Sequence, residues 1–236
     1  MERCKADFAV DLGCGVGGSL LYLAQRSSSL SGCGITLSRV QAQISAELLK
    51  RGGQEDRIKI VHGNMLDAAS YENLIPVERS GPLFVFAVES LIHLESADQL
   101  FQTVSPLLRS KDRFAICDDF LSSKLPAGQW ETPMIGRWFD EYRRGWKVHS
   151  LVTPDQLLRQ ASSHGFDNIA RLNLTPYLEL NRPRDRLIRA LVALGRQLKP
   201  HGEWWSSLLG GNALQACIKE GVVEYWYILL EKRDSR

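Results

Sequence analysis

Nine residues near the start of the chain, Val10–Gly18 (VDLGCGVGG), set an acid against closely spaced glycines. Gly13, Gly15 and Gly18 satisfy G-x-G-x-x-G. Glycine allows a tight turn and a close approach of ligand to backbone. A helix that starts there offers unpaired N–H groups. A structural turn without a ligand meets the same spacing. Dinucleotide folds usually place an apolar residue before the glycines and an acid about 20 residues later for the ribose hydroxyls. Here Asp11 precedes the glycines, and no acidic residue occurs between Asp11 and Glu47. A nicotinamide-dependent oxidoreductase is therefore the alternative, not the leading reading.

A second set of reactive side chains follows two later apolar runs. AVESLIHL supplies Glu89 and His93, and CDDFL supplies Asp118 and Asp119. Carboxylates and an imidazole can take a proton from an amine or hydroxyl, or stabilise a developing cation. Each has a plainer reading. A histidine between Ile92 and Leu94 is often a hydrogen-bonded core residue, and one of two adjacent aspartates is often a loop cap.

These residues need a scaffold, and the pattern provides one. Apolar runs at Phe8–Leu12, Gly34–Leu37, Arg57–Val61, Leu83–Val88 and Arg113–Cys117 read as strands. Gly17–Arg26, Val40–Arg51 and Ala97–Leu108 read as helices between them. Thr153–His164 is a further helix, with Thr153 as N-cap and Pro154 in its first turn. Phe166–Leu174 and Val222–Glu231 are the last strands. Leu83–Val88 is apolar on both faces and belongs near the centre of the sheet. Strands separated by helices imply a doubly wound parallel α/β sheet, which binds ligands at the carboxyl ends of its strands.

Two segments break the rhythm. Residues 120–150 contain Trp130, Trp138, Phe139, Tyr142 and Trp146; residues 175–212 contain a basic, apolar helix. Both read as insertions covering a site, within one domain spanning 1–236. Arg182–Pro200 carries six basic residues (Arg182, Arg184, Arg186, Arg189, Arg196, Lys199) against Asp185 alone. Leu187, Leu191 and Leu194 share a face of it, and Trp204-Trp205 follow. Such a helix can meet a membrane surface or an anionic amphiphile. The plainer reading is a lid packed through its leucines with a solvated basic face.

Composition bounds the rest. The 236 residues are 44% hydrophobic and 24% charged, as in an ordinary globular protein. Lys+Arg 29 against Asp+Glu 27 is too balanced to mark a nucleic-acid binder. Five scattered cysteines without a C-x-x-C pair exclude a zinc ribbon or a disulfide framework and suit a reducing, cytoplasmic setting. The apolar runs fall far short of the ~18 residues of a membrane span, and no apolar signal region is visible at the start.

The motifs taken jointly resemble a known family. D-L-G-C-G resembles motif I of class I S-adenosylmethionine-dependent methyltransferases. That resemblance implies that Asp11 anchors the loop and that the backbone of Gly13, Cys14, Gly15 and Gly18 cradles the methionine moiety. GITLSRVQAQ, Gly34–Gln43, resembles the G-[IL]-T-L-S-x-x-Q segment of the γ-tocopherol methyltransferase and cyclopropane-fatty-acid synthase branches. It implies a ribose site built from Thr36, Leu37 through its backbone, Ser38 and Gln41, neutral groups replacing the usual acid. Gln41 also fits a solvated surface position. HGNMLD, His62–Asp67, is similar to the segment that grips adenine, with Asn64 for the usual aspartate and Met65 as N–H donor and apolar wall. A turn glycine with a cap at Asn64 or Asp67 is the plainer reading. Ala87 and Glu89 complete the implied cofactor wall.

Phosphoethanolamine and related N-methyltransferases carry an aspartate at the end of the fifth strand, near the acceptor amine. By that likeness His93 suits a base, Glu89 a cation stabiliser, and Asp118 or Asp119 an acceptor hydrogen bond. The family fold has seven strands, the last antiparallel. No metal is implied, although Glu89, Asp118 and Asp119 also resemble the acidic magnesium site of catechol-type O-methyltransferases. No N-P-P-Y-like motif follows the fourth strand, which disfavours nucleic-acid bases as substrates. The resemblance implies a small or lipid-like acceptor and leaves the N, O or C atom open, along with the oligomeric state. One departure stands out. Relatives carry several helical turns before motif I that close over the cofactor, whereas ten residues precede Asp11 here. A cofactor-binding scaffold without catalysis is therefore the non-enzyme alternative.

Overall fold

The computed structural model describes residues 6–124, 132–198 and 202–234; Cys4, Trp130 and Lys199 lie outside them. The apolar run Leu83–Val88 is the middle of seven strands. They are β1 (Phe8–Leu12), β2 (Ser31–Thr36), β3 (Ile58–His62), β4 (Leu83–Val88), β5 (Arg113–Leu121), β6 (Phe166–Asn173) and β7 (Val223–Lys232), in the order β3-β2-β1-β4-β5-β7-β6. The strands β1 to β5 pair in parallel, and β7 runs antiparallel between β5 and β6. The chain reverses its direction of travel across the sheet between β1 and β4. That is the crevice where an open α/β sheet binds its ligand.

Helices α1 (Gly18–Arg26), α2 (Arg39–Arg51), α3 (Ala97–Val104) and α5 (Pro154–Ser163) connect the strands. The expected helix Ala97–Leu108 stops at Val104 and passes into a 3₁₀ turn, Ser105–Leu107. Pro106 has no N–H to continue the helix. The predicted cap of α5 is present as a full capping box between Thr153 and Gln156.

The strand β5 outruns its sequence signal by four residues. Its parallel pairing with β4 ends at Val88–Cys117, but β7 keeps it extended to Leu121. Asp118 and Asp119 therefore lie in a strand, just past the end of β4.

The two interrupting segments form a helical layer of α4 (Pro133–Trp146), α6 (Pro183–Leu198) and α7 (Glu203–Lys219). The last helix runs past the expected limit at Asn212. Glycines set the spacing: a Cβ on Gly145 of α4 would lie 2.4 Å from Ser206 O, and one on Gly195 of α6 would lie 2.2 Å from the Trp205 ring. Tyr142, Val148, Ala213, Leu214, Cys217 and Ile218 build a core here, separate from the main sheet core.

Of the two readings of α6, packing through its leucines is not what the structure has. Leu187, Leu191 and Leu194 are exposed, while Val192, Gly195 and Asp185 are buried. The inward face is held by polar contacts: Arg196 donates to Glu141, and Arg189 reaches Asn181. Gly195, rather than a leucine, meets α7 at Trp205, and Arg196 ties α6 to α4. Among the described residues no helix is long and apolar enough to cross a membrane.

Candidate functional site

The glycine turn is tied down from its far side. Gly13 N and Cys14 N both donate to Ile35 O at 3.0 and 2.8 Å, and Gly17 N donates to Cys14 O at 2.8 Å. Gly13, Gly15 and Gly17 all hold positive φ, the region where other residues are strained. A Cβ on Gly13 would fall 2.4 Å from Ser90 Cβ, so the turn and the end of β4 leave no room there. Ser90 also donates its hydroxyl to Leu12 O at 2.7 Å. A Cβ on Gly15 would meet nothing within 4 Å and would project into open space. The helix α1 has no side-chain N-cap, so its first amides remain for a ligand.

The second motif is a small hydrogen-bonded unit. Ser38 caps α2 by accepting from Gln41 N, Thr36 Oγ1 accepts from Ser38 N, and Thr36 donates to Gln41 Oε1 at 2.9 Å. Gln41 is thus fixed, not a free surface amide, and its amide NH₂ remains as a donor. Gly13, Cys14, Gly15, Thr36, Leu37, Ser38, Gln41 and Met65 line one cavity of about 510 Å³, closed at the far end by Val88, Glu89, Ser90 and His93. That volume suits a ligand of nucleoside size.

Of the residues named for the cofactor from sequence, Ala87, Gly18 and Asn64 are not among those lining this cavity, and neither is Asp11, whose implied role is to anchor the loop from behind. Ala87 packs in the sheet core, while Val88 and Glu89, at and just past the end of β4, line the cavity. Asp11 is buried within β1, where desolvation pushes its carboxyl up to about 7. Gly18 borders a different, apolar cavity on the sheet. Asn64 Oδ1 accepts from Leu66 N at 3.0 Å, so the structure gives it the turn-capping role, and Met65 alone of the pair faces the cavity.

A second cavity, about 230 Å³, adjoins the first. Glu89 and His93 belong to both. Its polar wall is Glu89, His93, Asp119 and Tyr225; its apolar wall is Ile92, Trp146, Leu178, Leu214 and Ile218. Glu89 takes positive φ (51°), an unusual conformation for its type, and accepts from Tyr225 Oη at 3.1 Å. His93 is exposed rather than a core histidine, with Nδ1 3.3 Å from Lys147 O.

The two aspartates divide sharply. Asp118 is fully buried and accepts from Leu91 N at 2.7 Å and Asp119 N at 2.8 Å. It anchors the 3₁₀ turn Leu91–His93 and does not reach the cavity; burial pushes its carboxyl up to about 7. Asp119 faces the cavity and accepts from Tyr142 Oη at 2.7 Å. Burial pushes it up to about 6; the Tyr142 bond pulls down and Glu89 adds repulsion. Among the described residues no group of three His, Cys, Asp or Glu could hold a metal ion.

Sequence reasoning missed Tyr225, Leu214 and Ile218, and placed Tyr142 and Trp146 only in a covering segment, without a role. One signal was available for Tyr225. It stands opposite Asp119 in the antiparallel β5–β7 register, which the alternating β7 sequence would have yielded had that pairing been assumed.

The fold is the Rossmann-like fold of class I S-adenosylmethionine-dependent methyltransferases, and the chain resembles their small-molecule branch. It superposes on geranyl diphosphate C-methyltransferase from Streptomyces coelicolor A3(2), in complex with Mg2+, geranyl diphosphate and S-adenosyl-L-homocysteine. The TM-score is 0.68 at 19% identity, covering 96% of this chain and 72% of the other. The O-methyltransferase of a trans-AT polyketide synthase multienzyme from Brevibacillus brevis, bound to S-adenosyl-L-homocysteine, gives a TM-score of 0.73 at 16% identity, covering 99% and 69%. In sequence, methyltransferase GfsG of Streptomyces halstedii is 29% identical over 46% of this chain and 36% of its own length. Sterol 4-C-methyltransferase strm-1 of Caenorhabditis elegans is 29% identical over 50% and 33%. The matched region is thus about a third of the length of these two relatives. No family model matches the chain.

Proposed function

We propose that the chain is an S-adenosylmethionine-dependent methyltransferase acting on a small acceptor with an apolar body. One observation carries this reading: a glycine-lined cavity of nucleoside size and an acceptor-sized cavity share a wall, Glu89 and His93. The residues fit the cofactor, since a Cβ on Gly15 would enter the space its methionine portion needs. Gly13, Cys14 and Gly15 would hold that portion, Thr36, Leu37 through its backbone, Ser38 and Gln41 the ribose, and Met65 the adenine. When bound, S-adenosylmethionine supplies a methyl group on a sulfonium, which leaves as a neutral thioether.

The chain's own contribution is positioning and proton handling. Asp119, held by Tyr142 and ionised above about pH 6, takes the proton of an acceptor hydroxyl or amine. Glu89, fixed by Tyr225, stabilises positive charge at the junction of the cavities. His93 closes the same junction. Among the described lining residues there is no lysine or arginine, so the acceptor is neutral or cationic. The apolar wall favours a lipid-like or aromatic body. Residues 120–150 and 175–212, extended to the end of α7, act as the cap of a single methyltransferase unit over 1–236. The cysteines Cys14, Cys33, Cys117 and Cys217 are free, which suits the reducing cytoplasm.

Calorimetric titration with S-adenosylhomocysteine and with NADH, followed by transfer of a labelled methyl group to a panel of phenols, amines and sterols, tests the reading. Tight binding of the first ligand only, with transfer that His93→Asn reduces at unchanged cofactor affinity, is the expected result. NADH binding would restore the oxidoreductase; cofactor binding with no transfer to any acceptor would leave a scaffold.

A further inference from the structure

The outer face of α6 is built the wrong way round for a helix that merely packs. Leu187, Leu191, Leu194 and Leu198 follow one another by four, three and four residues and form a single stripe over three turns. They are 61%, 46%, 58% and 74% exposed. Trp204, at the same end of the α6–α7 hairpin as Leu198, is 73% exposed. Two polar residues that would ordinarily face water are turned inward instead: Asp185 is buried and Arg196 pairs with Glu141. A contiguous apolar face of this kind marks a contact surface.

The charges around the stripe name the partner. The only acid in α6 is Asp185; its buried carboxylate accepts from Arg182 N at 3.1 Å and lies 3.7 Å from Nε of Arg184, whose side chain stays exposed. Arg184 and Arg186 flank the leucines on either side and are exposed. They sit in the first turn, where the helix dipole disfavours cations, so their placement does not serve the helix itself. Just before the helix, Arg182 is exposed and pairs with Glu179 at 2.6 Å, and Glu203 beside Trp204 is the acid at the other end. A second copy of the chain laid on the stripe would gain the leucines but find no acids on the partner α6 for its arginines. An anionic lipid surface satisfies both: acyl chains for the leucines and Trp204, headgroup phosphates and carboxylates for Arg184 and Arg186.

We infer that α6 docks the protein on an anionic membrane surface, lying in the interface through Leu187, Leu191, Leu194 and Leu198 with Arg184 and Arg186 at the headgroups. This inference does not depend on methyl transfer.

Flotation of the full chain with vesicles of phosphatidylcholine alone, and of phosphatidylcholine mixed with phosphatidylserine, tests it. Binding is expected to the mixed vesicles, weakening as salt screens the arginines. Leu191→Glu with Leu194→Glu should weaken binding by two or more orders of magnitude, on the order of tenfold or more per buried leucine. Arg184→Glu with Arg186→Glu should abolish the preference for phosphatidylserine. All four positions face solvent, so melting temperature should not change, which separates lost docking from lost folding. Equal binding to both vesicles, or binding untouched by the leucine variants, overturns the inference. So does a lipid-free dimer in sedimentation that Leu191→Glu with Leu194→Glu dissociates, because a second copy then covers the stripe.

Discussion

Removing the Tyr142 hydroxyl isolates the proposed base without touching its position in β5. Tyr142 Oη donates to Asp119 Oδ2 at 2.7 Å, inside the helical cap and out of water. The bond favours the charged carboxylate and opposes the burial that lifts Asp119 to about 6. A hydrogen bond to a charged group is worth about 1.5–3 kcal/mol, and a pKa unit about 1.4 kcal/mol. Tyr142→Phe should therefore raise Asp119 by roughly one to two units, to between about 7 and 8. At neutral pH the ionised fraction then drops from roughly nine-tenths to roughly a half or a tenth. Turnover at pH 7 should fall by about two- to tenfold and recover in alkaline buffer, with cofactor affinity unchanged. A carbon-13 titration of labelled aspartate in the S-adenosylhomocysteine complex reads the same shift without an acceptor. If the acid limb of the rate profile stays where it is while the aspartate resonance moves, Asp119 is not the base. If neither moves, the hydrogen bond does not control the carboxylate.

Two further outcomes test other parts of the site. Gly15→Val forces a branched side chain into left-handed backbone and into open cavity; the strain costs about 1–3 kcal/mol of stability. Loss of S-adenosylhomocysteine affinity should exceed tenfold in the folded variant, and an unchanged dissociation constant by calorimetry would detach the glycine turn from the cofactor. Asp11 is held up at about 7 by burial, well above its unfolded value of 3.8. The folded state therefore binds its proton more tightly, and stability falls as pH rises from about 4 to about 7, by at most about 4 kcal/mol. Asp11→Asn should flatten the decline in melting temperature across that window; parallel curves for the two proteins would show that Asp11 is not the source.

Much of the scaffold was legible because local chemistry and burial agree there. The strand Leu83–Val88 carries an unbroken apolar run and the strand Phe8–Leu12 one broken only by Asp11, and both match the structure residue for residue. The cap of α5 follows from Thr153, Pro154 and Gln156 alone. The first cavity was readable for a similar reason: its lining comes from short motifs, each at the end of one strand. The second was not. Tyr225, Trp146, Leu214 and Ile218 reach it from three distant elements, and no local pattern distinguishes such residues from core. Asp118 and Asp119 could not be told apart until strand pairing fixed which faces the cavity. The orientation of α6 stayed open between two readings. Its leucines and arginines define two faces, but hydrophobicity predicts burial only when no other surface awaits the apolar side.

The overhang of β5 beyond β4 has a consequence for how activity is assembled in time. The first cavity is lined by residues between Gly13 and His93, the second by residues from Glu89 to Tyr225. Asp119 lies on the four-residue stretch that β7 alone keeps in the sheet. During synthesis, the segment that forms the nucleotide pocket leaves the ribosome well before the strand that aligns the base. On the proposed reading, the cofactor pocket thus precedes the base in the order of synthesis, and Asp119 is held in the sheet only once β7 has paired with β5.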